Sequence, residues 1–400
     1  MKKKNLIISS SLFFVVIFIF SCQKEDILLV KDYHLKATEV TTDLANKVAV
    51  NFSKTKSFRT NPKDSNDLLK STSANDFAEK EIDNVFSISD KDGGIAFYII
   101  TFKPSGFVFI SATLKEEPIL AFSSTSYFEM NDIPFGLQMW IDVRTQRIQE
   151  IKTSDIEIPE GVKAEWDKYV DAPGWTDPET GEPGPVPNPN EGDYTIEKVL
   201  AFSPKWEQKN NFNALLNMID GQLPPAGCVA VAMGQIMKYY QFPSRYNWSA
   251  MPNTYATNTT AQLLKDIGSA VGMTYGLDGS SADTETKVPP AFKSFGYSSS
   301  VRYSGYSSDI IESEIDANRP VIFRGGTKKY WAGIIPYYGD GHAWVCYGYH
   351  AASLSGYGYF SIYMNWGWRE SYDGWYSYNN FDNGNGTFNY NVGTIIGIKP

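Results

Sequence analysis

Cys228 stands at the head of the apolar run Val229-Ala230-Val231-Ala232-Met233-Gly234-Gln235-Ile236-Met237-Lys238-Tyr239-Tyr240, directly after Pro224-Pro225-Ala226-Gly227. A thiolate at a helix N-terminus is stabilised by unpaired N–H groups and the helix dipole, and the thiolate is the form that attacks a carbonyl. The competing reading is a small buried hydrophobe on an apolar helix, because free Cys is among the most buried residue types. The balance moves with His342 in Gly341-His342-Ala343-Trp344-Val345-Cys346, one of only 3 His in 400 residues. An imidazole held at a strand end suits a general base paired with a thiol, against the plainer reading of a satisfied core histidine. Met364-Asn365-Trp366-Gly367-Trp368 comes next. An Asn amide can hold an imidazole in the tautomer that a Cys-His pair needs, and an indole can shield that bond from water. The same run also reads as aromatic core. Upstream, in Trp206-Glu207-Gln208, the Gln208 amide and the Cys228 N–H could supply the two donors of an oxyanion hole; alone, a surface Gln carries no information.

These side chains need rigid supports. Two prolines stop a helix from starting before Cys228, Gly227 permits close backbone approach, and the periodic run predicts a buried helix over Cys228 to Tyr240. A second helix is predicted at Thr260 to Val271. Strand-like pieces follow at Pro320 to Phe323, His342 to His350, Tyr359 to Trp366 and Val392 to Ile398. His342 would begin its strand, entered from the loop Tyr337-Tyr338-Gly339-Asp340. Residues 194 to 400 thus form one domain rich in Tyr, Trp and Gly.

The segment before it has a different pattern. Residues 40 to 52 place apolar side chains at helical spacing, Asn61 to Asn75 is polar loop, and Ile82 to Phe128 holds short β-rich runs at Ile95 to Phe102, Gly106 to Ala112 and Ile119 to Ser123. A helix is expected from Pro134 to about Ile151, giving a small α+β unit over residues 22–172. Residues 173–193 carry Pro173, Pro178, Pro183, Pro185, Pro187 and Pro189 among polar residues and Gly, which reads as an extended linker open to proteolysis.

The chain begins Lys2-Lys3-Lys4, then an apolar run from Leu6 to Phe20, then Ser21-Cys22. That is the pattern of a secretory signal peptide over residues 1–21, rather than of a membrane span, for which it is short. Ile19-Phe20-Ser21-Cys22 resembles a bacterial lipobox, which implies acylation at Cys22 and a membrane tether. Gln23-Lys24-Glu25-Asp26 resembles the surface-export tag of some Gram-negative lipoproteins. The expected location is therefore outside the cytoplasm, as an outer-membrane or cell-surface lipoprotein.

With 45 Asp+Glu against 36 Lys+Arg, a net charge of -9 and no basic block beyond the first residues, nucleic acid is not an expected partner. At 15% aromatic residues, the chain is not a disordered polymer.

Taken in order, Trp206-Glu207-Gln208 with Phe212-Asn213, Gly227-Cys228-Val229-Ala230 through Gln235-Ile236-Met237-Lys238-Tyr239, Gly341-His342-Ala343, Asn365-Trp366-Gly367-Trp368, Asp373-Gly374 and the closing Gly397-Ile398-Lys399-Pro400 resemble the streptopain family of bacterial cysteine peptidases. The resemblance implies an α+β fold: a papain-like peptidase domain preceded by a small α+β prodomain. It also implies Cys228 as nucleophile, His342 as general base and acid, Gln208 as oxyanion donor, and Asn365 with Trp366 as imidazole support. The segments Gly106 to Ser111 and Pro118 to Ser123 look like the inhibitory prodomain of the same family. The chain is then expected to be a zymogen, with protein or peptide substrates, its own prodomain as intramolecular inhibitor, and no cofactor. Two features depart from the family pattern. Asn211-Phe212 stands where a Pro-aromatic pair is common, and Cys346 follows the proposed base by four residues. A Cys228–Cys346 bridge would consume the nucleophile, so both thiols are expected free in the active form.

Two other classes fit parts of this pattern. His342-Ala343-Trp344-Val345 also looks like the histidine strand of transglutaminases, although those usually use an Asp where Asn365 stands. An inactive peptidase-like binding lipoprotein would not need all the proposed catalytic residues. A zinc site built from Cys228, His342, Cys346 and His350 fails on spacing, because a strand would spread its last three members over more than about 20 Å.

Overall fold

A computed structural model describes residues 38–55, 80–131, 133–170, 194–331, 335–354, 357–369, 371–377 and 392–400; within these, the side chains of 194, 327–331, 335–340, 354 and 357 are left aside. The signal segment, Cys22 and the Pro-rich linker lie outside the described residues.

In chain order the elements are α1 (Thr42–Ser53), β1 (Ile82–Ser89), β2 (Ile95–Phe102), β3 (Phe107–Ser111), β4 (Ile119–Ser123), α2 (Phe135–Thr153), α3 (Glu160–Val170), β5 (Tyr194–Val199), α4 (Cys228–Tyr240), α5 (Asn258–Ala270), α6 (Thr284–Ser294), β6 (Arg302–Gly305), α7 (Ser308–Asp316), β7 (Val321–Trp331), β8 (Ile335–Leu354), β9 (Tyr357–Asn365), β10 (Gly374–Ser377) and β11 (Gly393–Ile396).

One sheet runs through both parts of the chain in the order β1-β2-β3-β4-β10-β9-β8-β7-β11-β6. The seam is β4 against β10, antiparallel, with Phe122 opposite Trp375 and Ala121 opposite Tyr376. The N-terminal segment therefore does not stand apart as a separate body: Glu39–Pro400 form one packing unit. β8 is long enough to pair β7 along its first half and β5 along its second, on the edge opposite β9.

Strand β2 reads Ile-Ala-Phe-Tyr-Ile-Ile-Thr-Phe and is buried along nearly its whole length, while β1 alternates half-buried and exposed positions as an edge strand should. Helix α2 starts where the sequence predicts and runs two residues further. Its buried residues Gly136, Leu137, Met139, Trp140 and Ile141 mark the side that lies on the sheet. Helix α4 matches its predicted bounds. Its first ten residues are all buried, so it is a core helix and not an amphipathic surface one.

Helix α6 contains Pro289 and Pro290, residues that argue against a helix in sequence. It forms because Asp283 caps it through Glu285 N and Thr286 N and because Val288, Pro289, Ala291 and Phe292 are buried against their neighbours. Strand β8 begins seven residues before His342, so the expected entry loop at 337–340 is backbone strand. The β7–β8 register shifts there, with Gly325 opposite His342 but Thr327 opposite Gly339, a bulge that re-aims the chain at His342.

Candidate active site

Gly227 is the N-cap of α4, with φ 91° and ψ 136°. A Cβ at this position would lie 2.8 Å from Met273 Sδ and 3.3 Å from the Ser280 carbonyl oxygen. Both the positive φ and the close approach require glycine. The cap brings no side chain to the first turn, and the backbone N–H groups of Cys228 and Val229, with that of Ala343 from β8, face the Cys228 sulfur. The nucleophile candidate is thus held between its own helix start and the strand that carries His342.

His342 is buried at 4% exposure between two indoles. Its ring stacks on Trp344 (centroids 5.9 Å, 15°) and meets Trp368 edge-on (5.3 Å, 62°). Its Nε2 makes a 3.0 Å hydrogen bond with the Trp366 carbonyl oxygen, which fixes Nε2 as the protonated nitrogen. Among the described residues, Cys228 and His342 share no hydrogen bond.

Helix α2 packs against the imidazole: a Cβ on Gly136 would sit 2.8 Å from His342 Cδ2 and 2.9 Å from Trp344 Cε3. Met139 covers Gly325 in the same way, and Trp140 packs on Tyr376 at 5.3 Å. The N-terminal segment thus lies directly on the imidazole and on the aromatic floor that runs Trp344–Trp366–Tyr376.

Burial reverses the electrostatics expected of a helix N-terminus. Desolvation pushes the Cys228 thiol up from its ordinary value, against the pull of the three N–H groups. The same cause lowers the His342 imidazole to about 4, partly opposed by its bond to the Trp366 carbonyl. In this covered form the pair is neutral thiol and neutral imidazole. Cys346 is also a free thiol; it is fully buried on β8, its proton directed to the Gly348 carbonyl at 3.5 Å, and pushed up to about 12 by burial.

Gln208 reaches the site through its backbone: its carbonyl accepts from Ala226 N at 2.8 Å, two residues before Cys228. The adjacent Glu207 carboxylate pairs with Arg369, and Arg369 N donates to the Trp206 carbonyl at 3.3 Å. The loop after Asn365 is thereby tied to the loop carrying Gln208.

Asn365 differs from its expected place. Its Oδ1 accepts from Gln235 Nε2 at 3.1 Å and Gly367 N at 3.0 Å, and its Nδ2 donates to the Pro204 carbonyl at 2.9 Å. The amide faces helix α4, and the imidazole takes the neighbouring Trp366 backbone oxygen instead. A backbone acceptor has no residue-type signal, so the sequence does not reveal it. The Trp366 indole is fully buried, packing on Trp344 at 5.0 Å and on Tyr376 at 5.2 Å, while the main-chain N–H of Trp366 donates to Asp373 Oδ1 at 3.2 Å. Gln235 and Asp373, both buried, are the site-building residues that residue type alone did not single out.

Among the described residues, no group of three or more His, Cys, Asp and Glu converges as a metal site, and no helix is long and apolar enough to cross a membrane.

Residues 206–247 and 244–376 match the Peptidase C10 family, and residues 37–148 match the Spi protease inhibitor family. The chain is 23% identical over 372 residues to the thiol protease/hemagglutinin PrtT of Porphyromonas gingivalis, a match that takes in 81% of this chain and 39% of that protein. It is 24% identical over 371 residues to streptopain of Streptococcus pyogenes, covering 77% of this chain and 81% of that one. The solved structure of a prointerpain A fragment from Prevotella intermedia superposes with a TM-score of 0.55 at 21% identity, over 80% of this chain and 100% of the fragment. That likeness shows the fold: a papain-like α+β domain behind an α+β prodomain.

Proposed function

We propose that this chain, whose residues 206–376 belong to the Peptidase C10, or streptopain, family of cysteine peptidases and whose residues 37–148 are its Spi-type inhibitory prodomain, is an exported, lipid-anchored endopeptidase made as a zymogen. The observation that carries this reading is Gly136 packed on the His342 ring while Cys228 waits at the start of α4. A binding module has no need to cover one histidine beside one thiol.

Once the prodomain has left, water reaches the site, the two pKa shifts caused by desolvation relax, and a proton moves from Cys228 Sγ to His342 Nδ1. The thiolate adds to the scissile carbonyl carbon, and the carbonyl electron pair becomes an oxyanion held by the Gln208 amide and the Cys228 N–H. Collapse of this intermediate breaks the C–N bond, with the imidazolium proton passing to the leaving amine and a thioester left on Cys228. His342 then takes a proton from water, hydroxide adds to the thioester carbonyl, and the acid leaves with Cys228 free again. The Trp366 carbonyl keeps the Nε2 proton in place through both transfers.

The test is a time course of intact mass on residues 23–400 under reducing conditions, wild type beside Cys228→Ala. Loss of a fragment cut between residues 151 and 200 in wild type alone, stopped by alkylation of Cys228, supports the reading. If neither protein is cut, both are treated with an outside protease and given a protein substrate; activity in wild type alone then means a zymogen matured by another enzyme. Inactivity in both sinks the peptidase reading. For the anchor, lipid-dependent mass on the full chain that disappears with Cys22→Ala is expected, and its absence overturns that part.

A further inference from the structure

Two buried amides, Gln235 and Asn365, join the segment before Gln208, the Cys228 helix and the segment at Trp366 through three hydrogen bonds, and a fourth fixes Asn365 within its own loop. Gln235, fully buried on α4 two turns after Cys228, accepts from Trp206 N at 3.1 Å and donates from Nε2 to Asn365 Oδ1 at 3.1 Å. Asn365, at 1% exposure, also accepts from Gly367 N at 3.0 Å and donates to the Pro204 carbonyl at 2.9 Å. The backbone partners fix both amide orientations. Trp206 N and Gly367 N can only donate, so Gln235 Oε1 and Asn365 Oδ1 must face them; the Pro204 carbonyl can only accept, so Asn365 Nδ2 must face it. The single arrangement that satisfies every group leaves Gln235 Nε2 pointing at Asn365 Oδ1.

We infer that Gln235 is a positioning residue for the peptidase reaction, setting the oxyanion loop and the loop whose Trp366 carbonyl holds the imidazole against the Cys228 helix through Trp206 and Asn365. Trp206 stands two residues before Gln208, and Asn365 immediately before Trp366, whose carbonyl holds His342 Nε2. A second tie runs outside the helix, from Ala226 N to the Gln208 carbonyl at 2.8 Å and from Arg369 N to the Trp206 carbonyl at 3.3 Å, but the Gln235 amide is the link that starts on the nucleophile's own helix and reaches both loops. An error of about 1 Å in either loop costs up to about 100-fold in rate, which gives the brace its leverage on turnover.

This inference rests on the reading of Cys228 as nucleophile, His342 as base and Gln208 as oxyanion donor. The test uses the full chain activated by limited proteolysis, with rates divided by the amount of Cys228 that an alkylator titrates, so that misfolded protein is not counted. Gln235→Met keeps length and apolar packing but removes both bonds. It is expected to lower kcat by about 10- to 100-fold with KM within about threefold, and to weaken binding of a peptide aldehyde, whose adduct needs the oxyanion hole, by a similar factor. Gln235→Glu accepts from Trp206 N as before, but donates to Asn365 only when protonated. Its kcat relative to wild type is therefore expected to rise as pH falls, a signature that simple loss of packing does not produce. Gln235→Met with kcat and aldehyde affinity within twofold of wild type, or a Gln235→Glu ratio flat with pH, overturns the inference while leaving the peptidase reading intact. A Cys228→Ala protein as active as wild type overturns that reading, and this inference with it.

Discussion

Gly136 and His342 are in contact across the seam between prodomain and peptidase domain, so close that the smallest side chain at position 136 would press on the imidazole at 2.8 Å from Cδ2 and on Trp344 at 2.9 Å from Cε3. Both rings are buried and flanked by other aromatics, so neither is free to give way.

Gly136→Ala therefore separates two effects that usually act together. Alanine stabilises a helix by roughly 1 kcal/mol over glycine, yet here its Cβ overpacks the seam at a cost of about 1–3 kcal/mol. The expected outcome is a more helical prodomain that docks less well, with docking weakened by about 5- to 150-fold. The rate of Cys228 alkylation in the unprocessed full chain measures this, because alkylation needs the cover to lift. An unchanged or slower rate would show that the contact does not hold the cover down.

The covered thiol and imidazole should also be visible in a pH profile. Burial holds the Cys228 pKa above its ordinary value of 9.0, so at pH 7 less than about 1% of it is thiolate. His342, lowered to about 4, stays neutral from pH 5 upward and offers no positive charge to the sulfur. In the unprocessed chain, alkylation by iodoacetamide is expected to be slow at pH 6–7 and to climb only into the alkaline range. After the prodomain is removed, a second rise at lower pH should appear as the thiolate–imidazolium pair forms. The same profile before and after removal would mean that the prodomain does not govern the pair.

The sequence made the Cys228 helix legible to the residue because proline, glycine and an apolar run are local signals, read over 17 positions from 224 to 240. It also singles out Cys228, His342, Gln208, Asn365 and Trp366 as members of one expected site. What it could not show was carried by non-local or backbone groups. The β4–β10 seam joins Ala121 to Tyr376 across 255 positions, and no pattern in either strand names its partner. The acceptor for His342 is a peptide carbonyl, which every residue possesses. Asn365 suits an imidazole partner by residue type, yet its amide is used by Gln235 on α4 and by the backbone of Gly367 and Pro204. Helix α6 was hidden for the opposite reason: Pro289 and Pro290 lower its local propensity, and burial of Val288, Ala291 and Phe292 overrides it.

The seam holds a second contact, one that weakens as pH rises. Glu116 and Glu117, from the turn before β4, are buried at 1% and 4% exposure. Glu117 Oε1 accepts from the Ser377 hydroxyl at the end of β10, and the Ser377 carbonyl takes Arg144 Nη2 at 2.8 Å and Trp140 Nε1 at 3.0 Å from α2. The charged groups facing Glu117 are Glu116 beside it, Arg144 on α2 and Glu165 on α3; Arg147 on α2 faces Glu116. Desolvation, then Glu116, raise Glu117 to about 8 against the pull of Arg144, and burial raises Glu116 as well. Release takes β10 and the Ser377 hydroxyl away from Glu117, so its carboxyl is expected to move back toward its ordinary 4.5. Below that value both forms hold the proton, and above about 8 neither does. Between the two, the docked form keeps a proton that the released form has lost, so docking is strongest in acid and weakens as pH rises through this window. The effect is measured on Cys228→Ala protein nicked between residues 171 and 193, as the dissociation constant of the prodomain at pH 5, 7 and 8.5. A loss of at least about tenfold in affinity from pH 5 to pH 8.5 is expected, and Glu117→Gln should flatten most of it because the amide keeps its hydrogen bond to Ser377 without titrating. Affinity that is constant or rises with pH in the wild-type pair, or a Glu117→Gln pair with an undiminished slope, would show that this carboxyl does not set the grip.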